Sequence, residues 1–240
     1  MEKTTCIIPL LLILVMSQGA PFDIDVFPFD YHEPNIPFGV TFEYEQLYAG
    51  MFLQTNKSVT QIFGFINVNK QFVSLGVVCH FLAIKCMNEW LIGGFVQYSD
   101  DSLYYYIKYQ TMTDGFNHIF SETIPKLGDI TFVNIFLSHD NVWTAHVPGL
   151  MVDVTFHNYP TEFMALSKSL YNGNTMNGHF EFLLFGSYEE SYLWGEKSAV
   201  MIRQDAPYVV IMKSSHEFTT KKNCIPQNKK GCFLCFYCID

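Results

Sequence analysis

From Val40 onward the sequence is broken by a turn signal roughly every 8–15 residues, and no stretch between breaks has a helical period. The breaks are Gln54-Thr55-Asn56-Lys57, Asn67-Val68-Asn69-Lys70, Ser99-Asp100-Asp101, Thr113-Asp114-Gly115, Ser138-His139-Asp140-Asn141 and Asn172-Gly173-Asn174. Asn, Asp and Gly tolerate the left-handed backbone that tight turns need. Between them lie short apolar and aromatic runs, with Leu103–Ile107 and Ala206–Met212 reading clearly as strands. A chain cut this finely folds as an antiparallel sandwich or barrel.

Composition narrows the class. Aromatic residues are 17% and charged residues only 15%, against about 25% charged in an average soluble protein. Aromatic richness suits a half-buried pleated surface and excludes a disordered chain. The formal net charge of −9 repels phosphate backbones, so nucleic acid is excluded as a general partner.

The ends read as address and cross-link. Lys3 followed by the apolar run Ile7–Met16, with Ser17 and Gly19 at a small-residue cleavage site, reads as a secretory signal peptide over 1–19. No later segment reaches the about 18 apolar residues a membrane helix needs, so a secreted, extracellular protein with no membrane span is expected. Residues 20–39 are an extended acidic lead-in, since Pro21, Pro28, Pro34 and Pro37 forbid a helix. Once Cys6 leaves with the signal, Cys79, Cys86, Cys224, Cys232, Cys235 and Cys238 remain, an even set that predicts disulfides in an oxidising compartment. Cys79 and Cys86 could close a local loop. The other four crowd the segment 214–240, expected to be a disulfide-rich tail outside the sheet. Asn56-Lys57-Ser58 is a glycosylation sequon.

The chain also resembles itself. Phe63–Leu75 aligns with Val154–Leu166 without gaps, with Phe65/Phe156, Asn67/Asn158, Phe72/Phe163 and Leu75/Leu166 identical. Glu89–Gly94 then lies over Glu181–Gly186. This predicts two related repeats, 40–152 and a shorter 153–213, as two sandwich units or one sandwich built from two halves. Phe72, Phe163, Leu75 and Leu166 should all be core. The pair Gly93-Gly94 reads as a strand kink or bulge.

These blocks resemble the domain family named after farnesoic acid O-methyltransferase. Phe163-Met164-Ala165-Leu166-Ser167 looks like that family's A-L-S strand. Glu89–Phe95 looks like its E-I-V-I-G-G-W strand, with Phe95 at the Trp position. Thr131–Trp143 looks like its F-W-I-x-W segment. The family's Asp-Ala-His triplet is absent. The resemblance implies a jelly-roll or lectin-like antiparallel β-sandwich, and its name implies methyl transfer to a terpenoid acid. The residues lack the glycine-rich strand-to-helix turn that would hold a methyl-donor cofactor, so no cofactor is expected.

The chemistry-bearing residues are sparse. The eight histidines show no H-E-x-x-H or H-x-H spacing, so no metal site is expected, and no nucleophile elbow occurs. Glu89 and Glu181 hold equivalent repeat positions and read as structural carboxylates. Trp90, Tyr98 and Tyr104 with Asp100 and Asp101 could stack on a sugar ring and accept its hydroxyls. A shallow site near Tyr188 and Tyr192 is the fallback. The expected function is therefore a secreted non-catalytic binding protein for a glycan or another extracellular ligand. A farnesoic acid O-methyltransferase-like enzyme and a structural, host-facing protein are the alternatives.

Overall fold

The computed structural model describes residues 46–54, 59–187, 191–194 and 200–223. The signal peptide, the acidic lead-in, the Asn56 sequon, Tyr188 and the cysteines at 224, 232, 235 and 238 lie outside the described residues.

The turn signals fall between strands, some at hairpins and others where the chain crosses from one sheet to the other. Strands β1 (Leu47–Gln54) and β2 (Gln61–Asn67) flank the Gln54–Lys57 break. Strand β3 (Val77–Cys86) turns into β4 (Glu89–Tyr98) through Met87, at φ 52°. Asp101, at φ 64°, leads into β5 (Leu103–Thr111), and Gly115, at φ 66°, opens β6 (Gly115–Phe120). Asn141, at φ 61°, links β7 (Ile130–His139) to β8 (Val142–Val147), which pairs with β9 (Leu150–Thr155). The remaining strands are β10 (Glu162–Ser169), β11 (Gly178–Gly186), the short β12 (Ser191–Leu193), β13 (Val200–Gln204), β14 (Tyr208–Ser214) and β15 (Glu217–Lys222).

These strands make two antiparallel sheets, a seven-stranded one in the order β13-β1-β10-β3-β4-β5-β6 and an eight-stranded one in the order β14-β15-β11-β2-β7-β8-β9, with β12 on β11. The all-β sandwich expected from the turn spacing is the fold observed. Among the described residues no helix is long and apolar enough to cross a membrane.

Pleating sends alternate residues to opposite faces. Leu82 and Ile84 of β3, Leu91 and Phe95 of β4 and Phe163 and Ala165 of β10 meet Ile62 and Ile66 of β2, Trp143 of β8 and Phe180 of β11 in one core. Burying each large apolar side chain contributes about 1.5–3 kcal/mol, so this cluster is the main stabiliser of the fold. One polar string crosses between the sheets. His80 Nδ1 and Ser167 Oγ are 2.7 Å apart, and Ser167 Oγ lies 2.8 Å from Thr220 Oγ1. All three residues are fully buried, and burial pulls the His80 imidazole down to about 3.

This arrangement selects one of the two sandwich alternatives and corrects other expectations. The halves of the chain interleave, since β10 sits between β1 and β3 and β11 pairs with β2, so there is one sandwich and one core. The gapless repeat does not survive as matched structure. Phe72 lies in a loop and is 64% exposed, whereas Phe163 is buried in β10. Phe65 is within β2, while Phe156 follows the end of β9. Glu89–Gly94 runs in the seven-stranded sheet and Glu181–Gly186 in the eight-stranded one.

Gly93-Gly94 forms no bulge, because β4 keeps unbroken register with β3 and β5 there. Glycine is needed at 94 for close approach, since a Cβ would run into the His80 carbonyl oxygen. Register shifts occur elsewhere: in β11 between Glu181 and Leu184, where Phe182 takes φ 50°, in β7 between Leu137 and His139, and in β14 between Met212 and Ser214. The segment from 214 is not wholly an appendage, since β15 pairs with both β14 and β11. Cys79 and Cys86 cannot pair with each other. They lie seven residues apart on one extended strand, about 23 Å end to end and on opposite faces, and both thiols are free and buried.

Candidate functional site

Of the residues expected to form a ligand site, Tyr98, Asp100, Asp101 and Tyr104 share the β4–β5 hairpin and Trp90 does not join them. Tyr98 and Tyr104 do meet across the β4–β5 hairpin, ring centroids 5.9 Å apart, and Tyr104 stacks edge-on to Phe120 at 5.5 Å. Asp100 is occupied in the turn, accepting from Ser102 N at 3.0 Å and Ser102 Oγ at 2.6 Å. Asp101 accepts from Gln97 Nε2 at 3.1 Å. Trp90 is at the far end of β4, eight residues from Tyr98 and so about 26 Å away, and only 1% exposed. It packs against Phe116 at 5.9 Å. The fallback site is half described, with Tyr192 packed at 5.8 Å on Phe185.

Carboxylates instead gather in two places. The first is the end of the sandwich at the β3–β4 turn. Glu89 opens β4 with a fully buried side chain. Its oxygens accept from His157 N at 2.8 Å and Met112 N at 3.3 Å, and contact His157 Nδ1 at 2.8 Å. Burial pushes its pKa up, but these hydrogen bonds prevail and hold it below the ordinary glutamate value. An ionised Glu89 fixes the proton on His157 Nδ1 and turns Nε2 outward on a side chain that is 44% exposed.

Close by, Glu162 opens β10 directly across from Lys85 of β3 and Gln54 of β1. Its neighbour Phe163 is in the core, so Glu162 is on the outer face of the seven-stranded sheet. Its side chain is 19% exposed, and Lys85 Nζ stands 3.7 Å from Oε2, an ion-pair distance beyond hydrogen-bond reach. Oε2 is buried without a hydrogen-bond partner. Burial raises the Glu162 pKa, and Lys85 offsets only part of that. Both Glu89 and Glu162 push up the Cys86 thiol, after burial itself. This end of the sandwich thus carries one carboxyl held low and one raised, on opposite faces of the seven-stranded sheet.

The second gathering is on the outer face of the eight-stranded sheet. His179 and Glu181 of β11, Glu217 of β15 and Asn67 of β2 converge there. His179 Nε2 is 3.1 Å from Glu217 Oε1, and Lys213 Nζ donates to the same oxygen at 2.9 Å. Hydrogen bonds from Lys213 and His179 hold Glu217 below the ordinary value. Phe63, Phe65 and the exposed Phe182 form an edge-to-face aromatic chain beside it, at 5.0 and 6.2 Å.

Sequence reading singled out Glu89 and Glu181 but missed Glu162, His157, His179 and Glu217 as partners. His179-x-Glu181 has the two-residue period that puts both on one strand face, a visible signal. Asn67, 112 residues from His179, and His157, 68 from Glu89, could not be joined to them without the topology.

No family model and no curated protein matches the chain. Solved structures do. Scytalido-glutamic peptidase, with a peptide-based transition-state analogue, superposes with a TM-score of 0.57 at 15% identity, covering 75% of this chain and 99% of that one. SCP-B, a member of the eqolisin family of peptidases in complex with the tripeptide Ala-Ile-His, gives a TM-score of 0.55 at 16% identity over the same shares. The likeness is one of fold. It overturns the expectation of a non-catalytic binder, which rested on the absence of familiar catalytic spacings from the sequence. Here nearly the whole of each matched chain is a peptidase with the same scaffold.

Proposed function

We propose that the protein is a peptidase acting at the β3–β4 end of the sandwich. The observation that carries the reading is Glu162, a carboxyl raised by burial whose buried Oε2 makes no hydrogen bond, at the same end of the sandwich as the oppositely set Glu89–His157 pair. The peptidase scaffold of the matched structures supports it. Glu162 is the proton donor to the departing amine. His157 Nε2 takes a proton from the attacking water. Glu89 touches no reacting atom; it is a positioning residue that fixes the His157 tautomer. The N-terminal segment with signal-peptide character supports action outside the cell.

The test is cleavage of denatured casein and of a fluorogenic peptide library between pH 4 and 7. Wild type is expected to cleave peptide bonds. Glu162→Gln, which keeps shape and removes the proton, is expected to lose about 10²–10⁴-fold in rate. No cleavage by folded wild type, or wild-type rates in Glu162→Gln or His157→Gln, would overturn the reading.

A further inference from the structure

We infer that the Asn172–Gly173 pair is a self-modifying site, at which the chain converts Asn172 to aspartate and isoaspartate with water as the only co-reactant. The fold keeps a second Asn-Gly pair, Asn177–Gly178, intact. The site is separate from the peptidase residues and its argument does not rest on them. Gly173 N gives its proton to a base in the solvent and attacks the carbonyl carbon of the Asn172 side chain. The new carbon–nitrogen bond closes a succinimide ring, and the side-chain nitrogen leaves as ammonia. Water then opens the ring at either carbonyl. Opening at the side-chain carbonyl leaves an aspartate in the ordinary main chain. Opening at the main-chain carbonyl reroutes the chain through the side chain as isoaspartate.

The turn between β10 and β11 presents this pair to solvent on a fixed base. Asn174 is fully buried, accepts from Ser74 N at 2.9 Å, and donates to Leu75 O at 2.9 Å and Ser169 Oγ at 3.1 Å. The Tyr171 carbonyl oxygen accepts from Asn174 N at 3.2 Å and from Ser169 Oγ at 2.8 Å. Tyr208 Oη stands 3.0 Å from the carbonyl oxygens of both Tyr171 and Asn174. Between these two clamped ends Asn172 is exposed. Among the described residues neither its side chain nor Gly173 N has a hydrogen-bond partner. The attacking nitrogen is therefore unoccupied, and the backbone freedom of glycine lets it turn toward the Asn172 carbonyl carbon. A Cβ at 173 would run into the Tyr171 ring, which favours the one residue that leaves this nitrogen unhindered.

Asn177–Gly178 has the same two residues in the opposite surroundings. Gly178 is buried at the start of β11, and its N donates to Thr220 Oγ1 at 3.1 Å. The Asn177 carbonyl oxygen accepts from Gln71 Nε2 at 2.9 Å and Asn69 Nδ2 at 3.3 Å. Ring closure there requires the start of β11 to open locally, a cost the Asn172 turn does not carry. The consequence at Asn172 is mechanical. Isoaspartate adds an atom to the main chain between two clamped ends. Asn174, at one of those ends, ties the loop carrying Ser74 and Leu75 to the end of β10. Conversion therefore loosens that tie.

The test is ageing of the whole protein in mildly alkaline buffer, with circular dichroism to confirm folding. Peptide mapping by mass spectrometry then reads each conversion from amide to acid, and chromatographic retention separates aspartate from isoaspartate. In the folded protein Asn172 is expected to convert at least about tenfold faster than Asn177, and in urea the two rates should converge. Asn172→Gln, whose longer side chain closes the ring poorly, is expected to prevent conversion at that position and to keep its urea midpoint on ageing. Aged wild type should unfold at lower urea than fresh wild type. Equal rates at the two pairs in the folded protein would overturn the proposal, as would a contrast that survives unfolding in urea. An unchanged midpoint in wild type whose Asn172 has become isoaspartate would overturn the loosening of the tie. The readouts are conversion and stability, so they stand or fall apart from peptide cleavage.

Discussion

The two sheets share one core but differ on their outer faces. On the seven-stranded sheet, Phe81, Trp90, Ile92, Tyr106 and Met164 face away from the core and are still at most 1% exposed. Even Lys168 is fully buried there, donating to Gln46 Oε1 at 2.9 Å with its ammonium 5.1 Å from the Tyr48 ring centroid. On the eight-stranded sheet the burial of β2 alternates strictly, and outward residues such as Ile130 and Phe182 are 62% and 58% exposed. Burial also sets the carboxylates. Glu162, at the edge of the covered face, is raised, while Glu217 on the open face is lowered by Lys213 and His179. One pleated scaffold thereby raises a carboxyl on one side and lowers another on the other.

The sharpest way to break this picture is through the matched phenylalanines. Phe163→Ala empties a fully buried position and is expected to cost about 3–5 kcal/mol. Phe72→Ala, at a 64% exposed loop position, is expected to stay within about 0.5 kcal/mol. Urea unfolding of both variants checks this, and equal losses would restore the equivalence of the two blocks.

A smaller effect concerns the polar string between the sheets. The unfolded His80 imidazole titrates near the ordinary histidine value of 6.5 and the folded one at about 3, so between these values only the unfolded chain takes the proton. Stability from His80 is therefore complete above pH 6.5 and falls as pH drops toward 3, by about 2 kcal/mol at pH 5. Comparing urea midpoints at pH 7 and pH 5 for wild type and His80→Gln isolates this contribution, because other groups titrate in both proteins. The variant should lose less stability than wild type on acidification; an equal loss would remove His80 as the acid-sensitive link.

Much of the fold was legible because turn chemistry is local. Asp101, Asn141 and Gly115 adopt the left-handed backbone that their residue types tolerate, at the predicted breaks. The burial of β3 and β4 on both faces was not legible, since an apolar run states only that a strand is buried somewhere. Strand β15 was hidden in Glu217–Lys222, whose charges masked the inward alternation of Phe218 and Thr220. The repeat misled because a Phe-rich sequence matches itself without sharing register. The sites were the least legible: Glu162 becomes distinctive only through burial and the distance to Lys85, neither of which a sequence carries.

The opposed settings of the carboxyls are most directly read by carbon-detected NMR titration of the glutamate side chains in the folded protein. Glu162 is expected to titrate above the ordinary glutamate value of 4.5, and Glu89 and Glu217 below it. Glu162 titrating at or below Glu89 would contradict the account, because no protonatable carboxyl would then stand at the β3–β4 end.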